Sequence, residues 1–133
     1  MNRGKGTSQK GQSLVELVLV LPVLLVILAG LLDLGRLYYA YVAVTDASGE
    51  GAAYGATHPD DVGGITTRAT QATSGLIQID EDQVDVEQSA NTIKVTVEYT
   101  FSLITPLLHA IVPDGEIPLR AVTSETILAG EID

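Results

Sequence analysis

The sequence predicts an α+β chain: one long N-terminal hydrophobic helix packed on a small antiparallel sheet of about three strands. Three observations carry this. Leu14–Leu32 is a run of 19 residues with Glu16 as its only charge, enough for a helix to cross ~30 Å of hydrocarbon. The stretch after it continues without proline until Pro59 and carries a stripe of small residues. Farther on, Ile93, Val95, Val97, Tyr99, Phe101 and Leu103 alternate with Lys94, Thr96, Glu98, Thr100 and Ser102, the period of a strand with one buried face.

Three regions follow in order. Residues 1–11 are polar, basic and glycine-containing, and are expected to form a disordered leader. Residues 12–57 form the long helix. Ser13 is placed to cap it, with Glu16 three residues later completing an S-x-x-E capping box. From Ser13 to about Thr57 the rod would measure roughly 68 Å, so only its first half fits a bilayer. Pro22 removes a backbone hydrogen bond and is expected to kink or locally melt the helix. Asp33 and Arg36 lie three apart and can pair near the membrane boundary. Ala43, Ala47, Gly51 and Gly55 recur every four residues, a narrow face that permits close approach. The glycines each weaken the helix by ~1 kcal/mol relative to alanine, so its last turns are expected to fray.

Residues 58–133 form the small α+β domain. Ile65–Leu76 is predicted as a short helix, with Gly75 near its end. Gln83–Gln88, a turn at Ser89–Asn91 and Thr92–Ile104 form a hairpin, and Ile117–Leu128 a third strand. The connection between the last two strands has room for one helical turn. The small-residue stripe of the helix is the expected cover for the greasy face of the sheet.

Charge and composition narrow the function. Arg3, Lys5 and Lys10 precede the apolar run without an acid among them, whereas all 17 acids lie from Gln12 onward, with only Arg36, Arg68, Lys94 and Arg120 as bases. Positive flanks stay in the cytoplasm, which predicts a single pass through the cytoplasmic membrane, N-terminus in and C-terminus out. An acidic outer domain excludes nucleic acid as a partner. The absence of cysteine removes thiol chemistry and Cys-based zinc sites. The apolar core is longer than that of an ordinary secretory signal and lacks a small-x-small site after it.

The string from Gly11 to Ala56 resembles the TadE-like pseudopilins of tight-adherence (Tad) pilus systems, a type IV pilin-like arrangement. The residues that carry the likeness are Gly11–Glu16, Pro22, Asp33–Arg36 and Glu50–Tyr54, with Val95–Pro106 as a weaker echo. The resemblance implies a basic leader cut by a prepilin peptidase between Gly11 and Gln12. It also implies assembly with other pilin or pseudopilin subunits, homo- or hetero-oligomeric, through the long helix. Cutting there would give Gln12 a free amine, and Glu16 of one subunit could pair with that amine on its neighbour, relieving two charges costly to bury alone. The capping box explains Glu16 within one chain, and periodicity alone does not choose between the two. Leu17, where relatives carry an aromatic residue, and the added outer domain point to a minor subunit. Gly49 stands where the family has arginine.

Other constellations favour plain readings. Asp80–Glu87 concentrates five acids but lacks EF-hand spacing, so it is expected to be a solvated face rather than a calcium site. His58 and His109 have no spacing suited to metal or acid–base work. Tyr38, Tyr39 and Tyr41 fit an interfacial aromatic belt. No serine sits in a nucleophile motif, and the glycine-rich Gly49–Gly55 segment lacks a P-loop lysine. The expectation is therefore a non-enzymatic structural subunit with no cofactor and no metal, inserted in the membrane and then carried into a surface filament for adhesion. The alternative is an uncleaved single-pass anchor with an extracytoplasmic binding domain.

Overall fold

A computed structural model of the chain describes residues 8–75, 77–106 and 108–128. The elements run α1 (Ser8–Thr57), α2 (Val62–Gln71), β1 (Val84–Ser89), β2 (Thr92–Ser102) and β3 (Glu116–Thr126), with short 3-10 turns at Glu81–Gln83 and Leu108–Ala110. The three strands form one antiparallel sheet in the order β1-β2-β3. The fold is α+β, a long apolar helix against a three-stranded sheet.

α1 is 50 residues long, roughly 75 Å at 1.5 Å per residue. Three expectations about it are corrected. It begins at Ser8, so Ser13 lies inside the helix and cannot cap it, and the last residues of the leader are helical. It stays helical through Pro22, so the local melting expected there does not occur, and the lost hydrogen bond is absorbed within the continuous helix. It also does not fray at its glycines, because its last turns are buried against the sheet: Ala47, Ala52 and Ala56 are buried, as are Gly51 and Gly55.

The close fit at those glycines has a geometric reason. A Cβ on Gly55 would lie 2.9 Å from Ile93 Cγ1 and 3.1 Å from Ile65 Cδ1. One on Gly51 would lie 3.2 Å from both Ala69 Cβ and Val95 Cγ1. Backbone, sheet and α2 therefore meet without intervening side chains. Val44, Ala47, Ala52, Ile65, Ile79, Ile93, Val95 and Val97 make the core, and Tyr54, Val86, Tyr99 and Leu119 pack around it.

β2 is the central strand, and its inward residues Ile93, Val95, Val97 and Phe101 are buried. Thr96, predicted to face solvent, is on the outer face as expected yet only 4% exposed. Its neighbours across the strands, Asp85 and Val122, cover a short side chain. Leu103 lies one residue beyond the end of β2 rather than within it. The outer face carries two cross-strand ion pairs, Lys94 with Glu87 and Arg120 with Glu98 at 3.4 Å. α2 starts earlier than predicted, at Val62, because Asp61 caps it: the Asp61 carboxylate accepts the Gly64 N–H at 2.9 Å.

β2 runs antiparallel to α1. Ile93 lies beside Gly55, Val95 beside Gly51, Phe101 beside Arg36, and Ile104 beside Asp33. From Gly55 back to Asp33 is about 33 Å along a helix, and from Ile93 to Ile104 about 37 Å along an extended chain, so the two climb in step. The domain thus grips only the second half of α1, and its β2–β3 end points toward the apolar half.

Candidate membrane and assembly helix

The first half of α1 is bare. Fifteen large apolar side chains between Leu14 and Leu32 are exposed, from 39% at Val26 to 70% at Leu19. Fully burying one such side chain is worth ~1.5–3 kcal/mol; counting half of that for the cover they give one another, the run forgoes on the order of 10–20 kcal/mol in water. That rivals the ~5–15 kcal/mol stability of a whole domain. The segment is apolar on every side, the pattern of a helix surrounded by lipid or by other helices. The helix is long and apolar enough to span a membrane, and none of its most apolar window is buried within the chain.

The proposed processing and assembly residues sit at the start of this bare half. Gly11, Gln12 and Glu16 are all exposed helical residues, and no salt bridge forms at Glu16 among the described residues. With the capping box ruled out by the helix start, Glu16 makes no side-chain hydrogen bond or salt bridge among the described residues. The bond between Gly11 and Gln12 lies within regular helix, so cleavage there would require local unwinding. Arg3 and Lys5 of the expected leader lie outside the described residues. The four small residues Ala43, Ala47, Gly51 and Gly55 are all buried, on the half of α1 that the domain covers.

The junction between the halves is built on Asp33, the residue after the apolar run. It is 2% exposed, the one charged side chain buried among the described residues. Its Oδ2 accepts the backbone N–H of Thr105 at 2.7 Å and of Ile104 at 3.1 Å, and its Oδ1 accepts from Arg36 Nη1 at 3.2 Å. The Arg36 guanidinium in turn lies over the Phe101 ring, 5.1 Å from its centroid. A buried carboxylate is tolerable when its oxygens are satisfied by donors of this kind. Sequence reasoning found the Asp33–Arg36 pair but not the loop it holds. The signal available was the one applied to Glu16: a carboxylate next to a membrane run needs a partner.

A second polar cluster closes the far end of α1. The Tyr54 hydroxyl donates to Asp61 Oδ2 at 2.8 Å; the Tyr54 ring stacks on His58 with centroids 4.5 Å apart, and Arg68 lies 5.4 Å from the ring centroid. The Gly64 N–H, chiefly, and the Tyr54 hydroxyl favour the ionised Asp61 and hold its carboxyl below its ordinary value of 3.8, against a smaller desolvation cost; His58 adds a weak attraction. Midway, the Ser48 and Thr123 hydroxyls bond at 2.8 Å and fasten β3 to the helix. Both clusters are accounted for by turn and helix packing. Among the described residues no group of three or more His, Asp or Glu side chains is gathered to hold a metal.

The family model described as TadE-like protein matches residues 11–53. The match takes in the apolar run Leu14–Leu32, the Asp33 junction and most of the domain-covered half of α1, and ends one residue before Tyr54. No curated protein and no solved structure shows significant similarity to the chain.

Proposed function

From the TadE-like character of residues 11–53, we propose that this chain is a pilin-like structural subunit, a minor pseudopilin of a Tad-type pilus, without enzymatic activity. A TadE-like segment within a helix able to cross a membrane fits a Tad-pilus-related membrane protein. The observation that supports the finer role is the split of α1. A core helix would be covered along its length, whereas this one is covered only beyond Asp33 and leaves its apolar half for something outside the chain. In the precursor that partner is the bilayer, with the N-terminus inside and the domain outside. After a prepilin peptidase cuts between Gly11 and Gln12, the lipid is exchanged for the helices of neighbouring subunits. Glu16, exposed and four residues along the helix from the new amine, then meets the Gln12 amine of a neighbour and sets the axial register of assembly.

The uncleaved anchor is the second reading, and the helical backbone across Gly11–Gln12 favours it. Intact-mass measurement on protein from its native membrane separates the two. A mass starting at Gln12 supports the subunit; a mass retaining the first eleven residues supports the anchor.

A further inference from the structure

The loop between β2 and β3 is unlike the rest of the domain. Tyr99–Pro113 contains no Asp, Glu, Lys or Arg, in a chain of net charge −10. The loop is a built structure. Leu103 N–H donates to Gly115 O at 2.8 Å, Leu108 N–H to Thr105 O at 3.1 Å, and His109 Nε2 lies 3.3 Å from Leu103 O. Despite this, Ile104 is 69% and Ile111 75% exposed, the latter more than any other large apolar side chain among the described residues. The charged residues at this pole are Asp33 and Arg36 on α1, against which the loop is tied, and Asp114 and Glu116 on the β3 side.

The position of the loop gives these side chains a meaning. The hydrogen bonds from Ile104 and Thr105 to Asp33 place the loop backbone level with the residue that follows the apolar run. Tyr38, Tyr39 and Tyr41 are exposed five to eight residues farther out. At ~1.5 Å per residue, the loop therefore sits roughly 8–12 Å nearer the bilayer centre than that tyrosine cluster. Tyrosines of this kind favour the headgroup level.

We propose that the β2–β3 loop is a second, shallow contact with the lipid bilayer, in which Ile104 and Ile111 enter the headgroup and upper acyl region beside the emerging helix. The contact rests on the reading that Leu14–Leu32 spans the membrane. Asp33 is its fastening: the carboxylate ties the loop to the helix at the depth where its isoleucines meet lipid. A single helix leaves a domain free to tilt and swivel, and a second contact point fixes its orientation on the surface.

The chain has no cysteine, so single ones can be introduced and labelled without background. Full-length Ile111→Cys, Leu24→Cys and Ser124→Cys, each carrying an environment-sensitive fluorophore, would be placed in phosphatidylcholine vesicles with and without bromine on the upper acyl carbons. The expected result is a blue-shifted emission at position 111 that loses intensity with brominated lipid. Position 24 should be blue-shifted and position 124 should behave as in water. If position 111 matches position 124 while position 24 is blue-shifted, the loop contact is wrong and the membrane-spanning reading stands. A water-like position 24 would overturn both. A position 111 that is water-exposed in vesicles and shielded only in assembled filaments would assign the loop to a neighbouring protein and overturn the lipid contact.

Discussion

Replacing Asp33 with alanine removes the acceptor that holds the β2–β3 loop against α1. Two backbone N–H groups, of Thr105 at 2.7 Å and Ile104 at 3.1 Å, would lose their partner. A hydrogen bond to a charged group contributes ~1.5–3 kcal/mol. The Thr105 bond is buried and counts in full, whereas the Ile104 bond is partly exposed and water can replace about half of it. Local stability of the loop should fall by about 2–4 kcal/mol, and since ~1.4 kcal/mol is a factor of ten, exchange of the Thr105 amide should quicken roughly 30- to 1000-fold. Hydrogen–deuterium exchange of the full chain in detergent micelles reads this directly, with the Val95 and Val97 amides as internal references that should change far less. Asp33→Asn, which keeps one acceptor oxygen, should show an intermediate effect. Unchanged Thr105 exchange in Asp33→Ala would refute the idea that this carboxylate fastens the loop.

Other perturbations separate packing, capping and assembly. Gly49→Ala meets open space and should raise the thermal midpoint, through a helix gain of up to ~1 kcal/mol. Gly55→Ala should lower it, because the new methyl crowds Ile93 and Ile65, and overpacking costs ~1–3 kcal/mol against the same helix gain. The Asp61 carboxyl is held below 3.8 in the fold, so the stabilisation it gives α2 is complete above that value and is lost as pH falls through the lower folded value. Acid titration of Gly64 amide protection should show this loss, and Asp61→Ala should abolish the pH dependence. Glu16→Ala should insert into the membrane normally yet yield few or no filaments by electron microscopy; normal filaments would remove the charge pairing from the account.

The parts of the fold that follow from local pattern were legible in the sequence. Leu14–Leu32 announces itself by composition, β2 by alternation, and Ala43, Ala47, Gly51 and Gly55 by a spacing that places small residues on one helical face. What escaped are features decided by contacts distant in sequence or by competition between neighbouring signals. Asp33 meets residues 71 and 72 positions away, and no local periodicity encodes that partnership. The S-x-x-E pattern at Ser13 suggests a helix start, but the strong apolar run after it carries helix back to Ser8, where the same pattern falls inside. The glycines of the last turns reduce helix propensity, yet the close contacts they allow with Ile93, Val95 and Ala69 outweigh that loss. Tyr54 and Asp61 are a helix end and a helix cap, joined only once the chain turns at His58–Asp61.

The central claim is that α1 serves two masters, with its domain-covered half fixed and its bare half exchanging lipid for sister helices. Cysteines placed singly at Leu24, in the bare half, and at Ala47, on the covered face, test it in filaments sheared from cells and oxidised. The account predicts disulfide-linked dimers from Leu24→Cys and none from Ala47→Cys, whose position is 0% exposed within its own chain. Leu24→Cys that stays monomeric in every assembled fraction, found only in membranes, would contradict it.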